Sequence, residues 1–347
     1  MSRTPAPTIP AIEVVQAIQR PDNSVPLVDG HRTIVRVFVD SGVTDGFDIG
    51  VGPAVYPVTV TLEAENLDSG VRSVCPTWGA GTGWSSSRSH DRNRLPHSHN
   101  FDVPMAACTG RVRFHARARS HAVAGAPAVN APPSSVDVAF TPVPMQPVLP
   151  FIVNDPSSAV PQPQWPDFLA SVELMADIVP IPLSRFLVHP PVSVQLSPQE
   201  PLSDKTRQFM LAMRLATTVF IFPSTPVHGL RAGIIADDPA YPMGGVGIPR
   251  IGPLTPSFVA KARKPRVWAH ELAHAYGLQH VQNTDPADPT PEPPWYDPGL
   301  PQLTEEPGLD FHGAQMEAAG TNELMSYARR RWISIAHWER VRTQVPV

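Results

Sequence analysis

Proline sets the first limit on what this chain can become. It occurs 44 times in 347 residues. Each proline fixes φ, removes a backbone donor and interrupts a helix interior or the middle of a sheet. A chain so punctuated is expected to build strands, turns and extended loops, with few long helices. One proline cluster also marks a boundary. The run FTPVPMQPVLPF, Phe140 to Phe151, reads as an extended linker between two regions of different texture. The length points the same way, since 347 residues exceed what one core ordinarily supports.

Before the linker the hydrophobic period is two. In YPVTVTLEAEN, residues Val58, Val60, Leu62 and Ala64 fall on one face, and Thr59, Thr61, Glu63 and Glu65 on the other. GRVRFHARARS repeats the pattern, with Val112, Phe114, Ala116 and Ala118 opposite Arg111, Arg113, His115, Arg117 and Arg119. HRTIVRVFVDSG and SVDVAFTPV add two more β-rich runs. Alternation of this kind buries one side of a strand and wets the other. After a flexible tail over 1–10, residues 11–143 are therefore expected to form an antiparallel, Ig-like β-sandwich.

The polar features of this region read mostly as surface. The arginine stripe 111–119 could grip an anionic ligand, but alternating charge is also what a solvated strand face carries. Residues 1–143 hold twelve Lys/Arg and twelve Asp/Glu, which argues against a nucleic-acid partner. The loop SHDRNRLPHSHN carries His90, His97 and His99 at a spacing that matches no ligand pattern. The two cysteines, Cys75 and Cys108, both lie here, just outside expected strands. Such a pair could be bridged or reduced; the placement favours a bridge.

After the linker the period changes. WPDFLASVELMADIV places Phe168, Leu169, Val172, Met175, Ala176 and Val179 at helical spacing. SRFLVHPPVSVQL reads as strand. LSDKTRQFMLAMRLATT reads as a helix with a Ser203 cap and a stripe of Phe209, Met210, Met213 and Leu215. VFIF, Val219 to Phe222, reads as a buried strand, and RAGIIADDPAYPMGGVGIPRIG as a glycine-rich edge. Residues 144–347 are thus expected to form a second domain of α/β or α+β type.

The composition, 42% hydrophobic and 17% charged, is that of a globular protein. A net charge of -4 gives no general pull towards nucleic acid or an anionic membrane. No apolar run is long enough for a transmembrane segment. The opening residues MSRTPAPTIPAIE lack the charged start and apolar block of a secretory signal, which leaves both cytoplasmic residence and export by another route open.

The densest chemistry lies in VWAHELAHAYGLQHV, Val267 to Val281. His270 and His274 are four apart and project from one helix face, so two imidazoles can reach one zinc ion. Glu271 lies beside them as a carboxylate base. Gly277 follows His274 by three residues and can end the helix with positive φ, turning the chain so that His280 returns as a third ligand. Three neutral nitrogen ligands, a carboxylate and a free fourth position make the layout of a hydrolytic zinc centre.

HELAHAYGLQH resembles the HExxHxxGxxH signature of the metzincin zinc peptidases at every fixed position. The downstream NELMSYARRRWIS resembles their methionine turn, with the Met–Ser–Tyr form of the serralysins, close to that of the astacins. The resemblance implies a metzincin-like catalytic domain over 144–347 and Zn2+ on His270, His274 and His280. It makes Glu271 the general base, Met325 the hydrophobic floor, and Tyr327 a zinc neighbour or oxyanion stabiliser. Val281 stands where astacins have Glu and serralysins Pro, and the calcium-binding repeats of serralysins are absent. The whole is most similar to bacterial metzincin-like peptidases.

The expected function is a zinc-dependent endopeptidase acting on a polypeptide or glycoprotein. An extended substrate would pair with the glycine-rich edge at Ala232–Ala236 or Gly244–Ile248. The alternative is a glycan- or protein-binding surface module in which the zinc domain is secondary or inactive.

Overall fold

Alternating burial dominates the first part of the computed structural model. The structure describes residues 6–40, 58–79, 90–121, 128–199, 201–217, 229–250, 255–282, 297, 299–328 and 330–344. Strands β1 (Thr8–Val15), β3 (Ile34–Asp40) and β6 (His99–Asp102) form one sheet in the order β1-β3-β6; β2 (Leu27–Val28) belongs to another. That second sheet runs β2-β8-β7-β4-β5, with β4 (Val58–Asn66), β5 (Arg72–Val74), β7 (Gly110–Ser120) and β8 (Ser134–Thr141). Every pairing is antiparallel except β2 with β8. Val35 and Val37 from the first sheet share one core with Leu62, Val112 and Phe114 from the second. The tail expected over 1–10 is shorter, because β1 begins at Thr8 and its end pairs with Asp40.

The arginine stripe is a solvated face with cross-strand partners. Arg113 pairs with Asp137 at 2.6 Å, Arg111 with Asp68 at 2.8 Å and His115 with Glu65 at 2.7 Å. These three side chains of β7 thus each meet an acid on a neighbouring strand or turn, which leaves little free positive charge for a ligand. The expected disulfide is absent: Cys75 and Cys108 are free thiols, both buried in the shared core. They pack as small apolar side chains, and burial pushes both thiols up to about 12.

The chain divides into two compact units, Met1–Pro142 with Glu306–Gly320, and Val143–Glu305 with Thr321–Val347. The second unit is mixed α/β. Its main sheet runs β10-β9-β12-β14-β13, with β11 also on β9. The strands are β9 (Gln146–Asn154), β10 (Phe186–Val188), β11 (Val192–Gln195), β12 (Leu230–Ile235), β13 (Gly245–Ile248) and β14 (Ser257–Lys261). All pairings are parallel except β13 with β14. Interior strands of a parallel sheet are covered on both faces, which fits the continuous burial of Ala232 to Ile235. β12 therefore lies inside the sheet and offers no edge, which removes Ala232–Ala236 as a docking edge. β13 is the terminal strand.

Helices α1 (Trp165–Ala176) and α2 (Lys205–Thr217) lie within the expected helical segments; α1 ends before Val179 and α2 begins only at Lys205. In α1, Phe168, Val172, Met175 and Ala176 are buried, but Leu169 is half exposed. The α2 stripe also differs from expectation. Gln208, Leu211, Ala212, Leu215 and Ala216 are buried, whereas Phe209 and Met210 are about half exposed. Positions i, i+3, i+4, i+7 and i+8 define the face, so spacing outweighs side-chain bulk. The cap is Asp204, whose carboxylate accepts Thr206 N–H at 2.8 Å, rather than Ser203. The run Val219–Phe222 lies outside the described residues. Helix α3 (Pro265–Ala275) follows β14.

The second domain is interrupted, contrary to the expectation of one unit over 144–347. Strands β15 (Gly308–Asp310) and β16 (Gln315–Glu317) form an antiparallel hairpin that belongs to the first unit. There Leu309, Phe311 and Met316 cluster with Val15 and Ile34. Leu309 N–H donates to Ala17 O at 2.8 Å, and Arg92 reaches Glu306 at 2.5 Å and also pairs with the buried Glu13. The chain then returns to the second unit through the short parallel pair β17 (Asn322–Glu323) and β18 (Arg331–Trp332), and ends in α4 (Ile335–Gln344). Among the described residues no helix is long and apolar enough to cross a membrane.

Candidate metal centre

Helix α3 starts on Pro265 at its first position, where the missing N–H has no partner to lose. It buries Trp268, Ala269, Leu272, Ala273 and Ala275, together with His270 and Glu271. Its end is set by Gly277 at φ +83°. Gly277 N–H donates to His274 O at 2.8 Å and Leu278 N–H to Ala273 O at 3.0 Å, closing bonds of a left-handed helix terminus. That turn carries His280 back towards the helix.

His270, His274 and His280 each offer one ring nitrogen, and these atoms lie within 4.8 Å of one another. Among the described residues this is the one such group. His90, His97 and His99 join no metal-holding group: His90 packs edge-on against Phe38, and His97 Nδ1 accepts Asp91 N–H at 3.3 Å.

Backbone carbonyls select the tautomers. His270 Nδ1–H donates to Leu324 O at 2.9 Å, and His274 Nδ1–H donates to Leu278 O at 2.8 Å. Each leaves its Nε2 lone pair free, and Nε2 of His274 lies 2.9 Å from Nε2 of His280. Two lone-pair nitrogens converging on a third imidazole form a donor set that could hold a metal ion, oriented by the carbonyls behind the rings. Burial keeps all three rings neutral. It holds His270 well below the ordinary imidazole range, and lowers His274 to about 4 and His280 to about 3.

Glu271 is buried beside this group, and loss of solvent raises its carboxyl to about 8, with Arg331 and the Gly247 N–H pulling the other way. The close approach of β13 to α3 explains two glycines. A Cβ at Gly247 would lie 2.4 Å from His274 Cβ and 2.6 Å from Glu271 O. One at Gly245 would lie 2.6 Å from Glu271 Cγ and 2.7 Å from Val259 O. These glycines are thus packing requirements of α3 as well as part of an edge strand. Gly247→Ala is expected to push α3 away from β13 and to destabilise the chain by roughly 1–3 kcal/mol, read as a lower urea midpoint.

The methionine segment supports the centre from the other side. Met325 is fully buried; its N–H is held by Glu323, and its carbonyl accepts Val281 N–H at 3.3 Å. The neighbouring Leu324 carbonyl is the one that orients His270. Glu323 is itself fully buried and accepts from His337 Nδ1 at 2.8 Å and Ser334 Oγ at 3.2 Å. Tyr327 places its ring 4.4 Å from that of His280, with its hydroxyl 3.5 Å from His280 Nδ1. All six expected site residues therefore belong to one neighbourhood of the second unit.

Four contributors carry no local signal. Glu323 follows a turn and reads as surface acid until α4 brings His337 and Ser334 to it. Arg331 sits in a run of three arginines that reads as a solvated stretch, yet its charge acts on His270, Glu271, His274, His280 and Tyr327. The carbonyls of Leu278 and Leu324 are backbone groups.

The shifted groups give the metal-free chain a pH signature. Histidines with lowered folded-state values stabilise above about 6.5, and that contribution is lost as pH falls towards 4 and 3. Glu271 has the opposite sign: its raised value makes the folded state hold an extra proton, so stability declines between about 4.5 and 8. Metal-free stability is expected to peak near pH 6.5, and Glu271→Gln to remove the alkaline decline while keeping the acid limb. Urea midpoints across pH in the presence of a chelator measure both limbs.

No protein-family model matches the chain. No curated protein matches it either. Among solved structures, one described as a chaperone–substrate complex aligns over 66% of this chain and 36% of its own length, at 12% identity and a TM-score of 0.27. That likeness is too slight to carry an argument about fold or function.

Proposed function

We propose that the chain is a zinc-dependent endopeptidase. The observation that carries this reading is the convergence of His270, His274 and His280, with two Nε2 lone pairs freed by carbonyl-held Nδ1–H groups, next to the buried carboxyl of Glu271. Three imidazoles leave a fourth position for water or substrate, the arrangement of catalytic rather than closed structural zinc sites. When bound, zinc supplies Lewis-acid polarisation of a carbonyl and makes a water more acidic at neutral pH.

The chain's own groups supply the remainder. Glu271 takes a proton from the attacking water and delivers it to the departing amine. Tyr327, beside His280, donates its hydroxyl to the developing oxyanion. The outer edge of β13 has no strand partner among the described residues, so an extended peptide can add to it as an antiparallel strand. The order of motifs, HELAHAYGLQH and then LMSY, supports a metzincin-like assignment.

The testing experiment is cleavage of a proteome-derived peptide library by the full chain. Internal cleavage that stops on chelation and returns with zinc supports the reading. A zinc-loaded chain that cleaves no peptide would refute it.

A further inference from the structure

A pocket of roughly 390 Å³ lies beside the metal centre, and Lys264, Arg266, Val267, Tyr327, Ala328 and Arg331 line it. Tyr327 belongs to both places, since its ring also stands 4.4 Å from that of His280. Val267 lies one helical turn before Glu271 on α3. The pocket therefore opens where the side chain next to a bond held at the metal would lie.

Its charge is one-sided. Among the described residues the lining has three cations and no carboxylate. Lys264 is committed to Asp237 at 2.8 Å, and Arg266 lies across Trp332, 5.2 Å from the ring centre. Arg331 differs: its Nη1 donates to Ser326 O at 2.6 Å, and among the described residues no carboxylate comes within ion-pair distance of it. Arg331 is partly buried, and loss of solvent pulls its affinity for a proton down, with Glu271 and Glu323 pulling the other way from beyond ion-pair distance. The rest of its planar fork matches a carboxylate, the partner for which arginine geometry is suited.

We infer that this pocket receives a substrate carboxylate, from an Asp or Glu side chain flanking the cleaved bond or from a peptide C-terminus, and that Arg331 pairs with it. The inference rests on the centre being a peptide-binding zinc site. It makes Arg331 a specificity-determining residue, and limits preferred substrates to acidic sequences or chain ends.

Binding rather than turnover tests it, so that a failure of hydrolysis is distinguishable from a failure of the pocket. The full-length Glu271→Gln chain, loaded with zinc, is titrated with fluorescent hexapeptides of one sequence. Asp or Asn, and Glu or Gln, are placed at each position in turn, every peptide as free acid and as amide. One acidic position, or the free C-terminus, is expected to tighten binding roughly tenfold or more over its neutral isostere. Adding Arg331→Met should bring the pair within about twofold. If that variant fails to hold zinc, Arg331→Lys decides, because it keeps the charge without the fork and should weaken the preference without erasing it. Equal binding of acid and isostere at all positions, a preference unchanged in the Arg331 variants, or no binding by any peptide would overturn the inference.

Discussion

Glu271→Gln is expected to lower peptide turnover by roughly a hundred- to ten-thousandfold while leaving one zinc per chain. The magnitude is that of losing a positioned general base. Zinc should remain because the proposed ligands are the three imidazoles, and the carbonyls that orient His270 and His274 are those of Leu324 and Leu278, not the glutamate. Glutamine also keeps the volume that Gly245 and Gly247 leave clear. It loses only the ability to hold and release a proton. Turnover measured alongside metal content separates this loss from collapse of the site. A Glu271→Gln chain that cleaves at the parent rate would remove Glu271 from the chemistry.

The second large effect concerns the sandwich. Expression of residues 143–347 alone is expected to give an aggregating chain that binds no stoichiometric zinc, although every expected ligand is present. The reason is the β15–β16 hairpin, which lies in sequence between His280 and Met325 but belongs to the first unit. Leu309, Phe311 and Met316 are almost fully buried there, and re-exposing such side chains costs about 1.5–3 kcal/mol each. Glu306 would lose Arg92, and Gly308 its bridge to Ile18. The segment joining the third ligand to the methionine turn would then have no anchor. Circular dichroism and zinc content of the truncated chain measure this. A soluble, folded truncation with full zinc occupancy would show that the hairpin does not need the first unit.

These two expectations differ in how far the sequence foretells them. The histidine motif is legible because its geometry is local: two histidines and a glutamate on one helix, one glycine hinge and one return. Strands such as β4 and β7 are legible for the same reason, since alternation within nine to eleven residues reports which face is buried. The insertion is not legible, because GLDFHGAQME shows only a short apolar pattern inside a Pro-rich acidic stretch, and its partners Val15 and Ile34 lie almost 300 residues earlier. Strand order is non-local too, so β12 and β13 look alike as glycine-bearing edges until pairing puts one inside the sheet. The cysteine pair misleads for a subtler reason: proximity to strand ends suits a bridge and a packed thiol equally well. Arg331 is hidden by its neighbours, since three successive arginines read as a solvated stretch.

The proposed zinc centre places one catalytic ion on His270, His274 and His280. Metal analysis of the purified full-length chain after zinc supplementation and removal of excess metal tests it most directly, with His274→Ala in parallel. One zinc per parent chain and loss of stoichiometric zinc in the variant are expected. A parent chain without bound zinc, or a variant that retains it fully, would rule out the proposed centre.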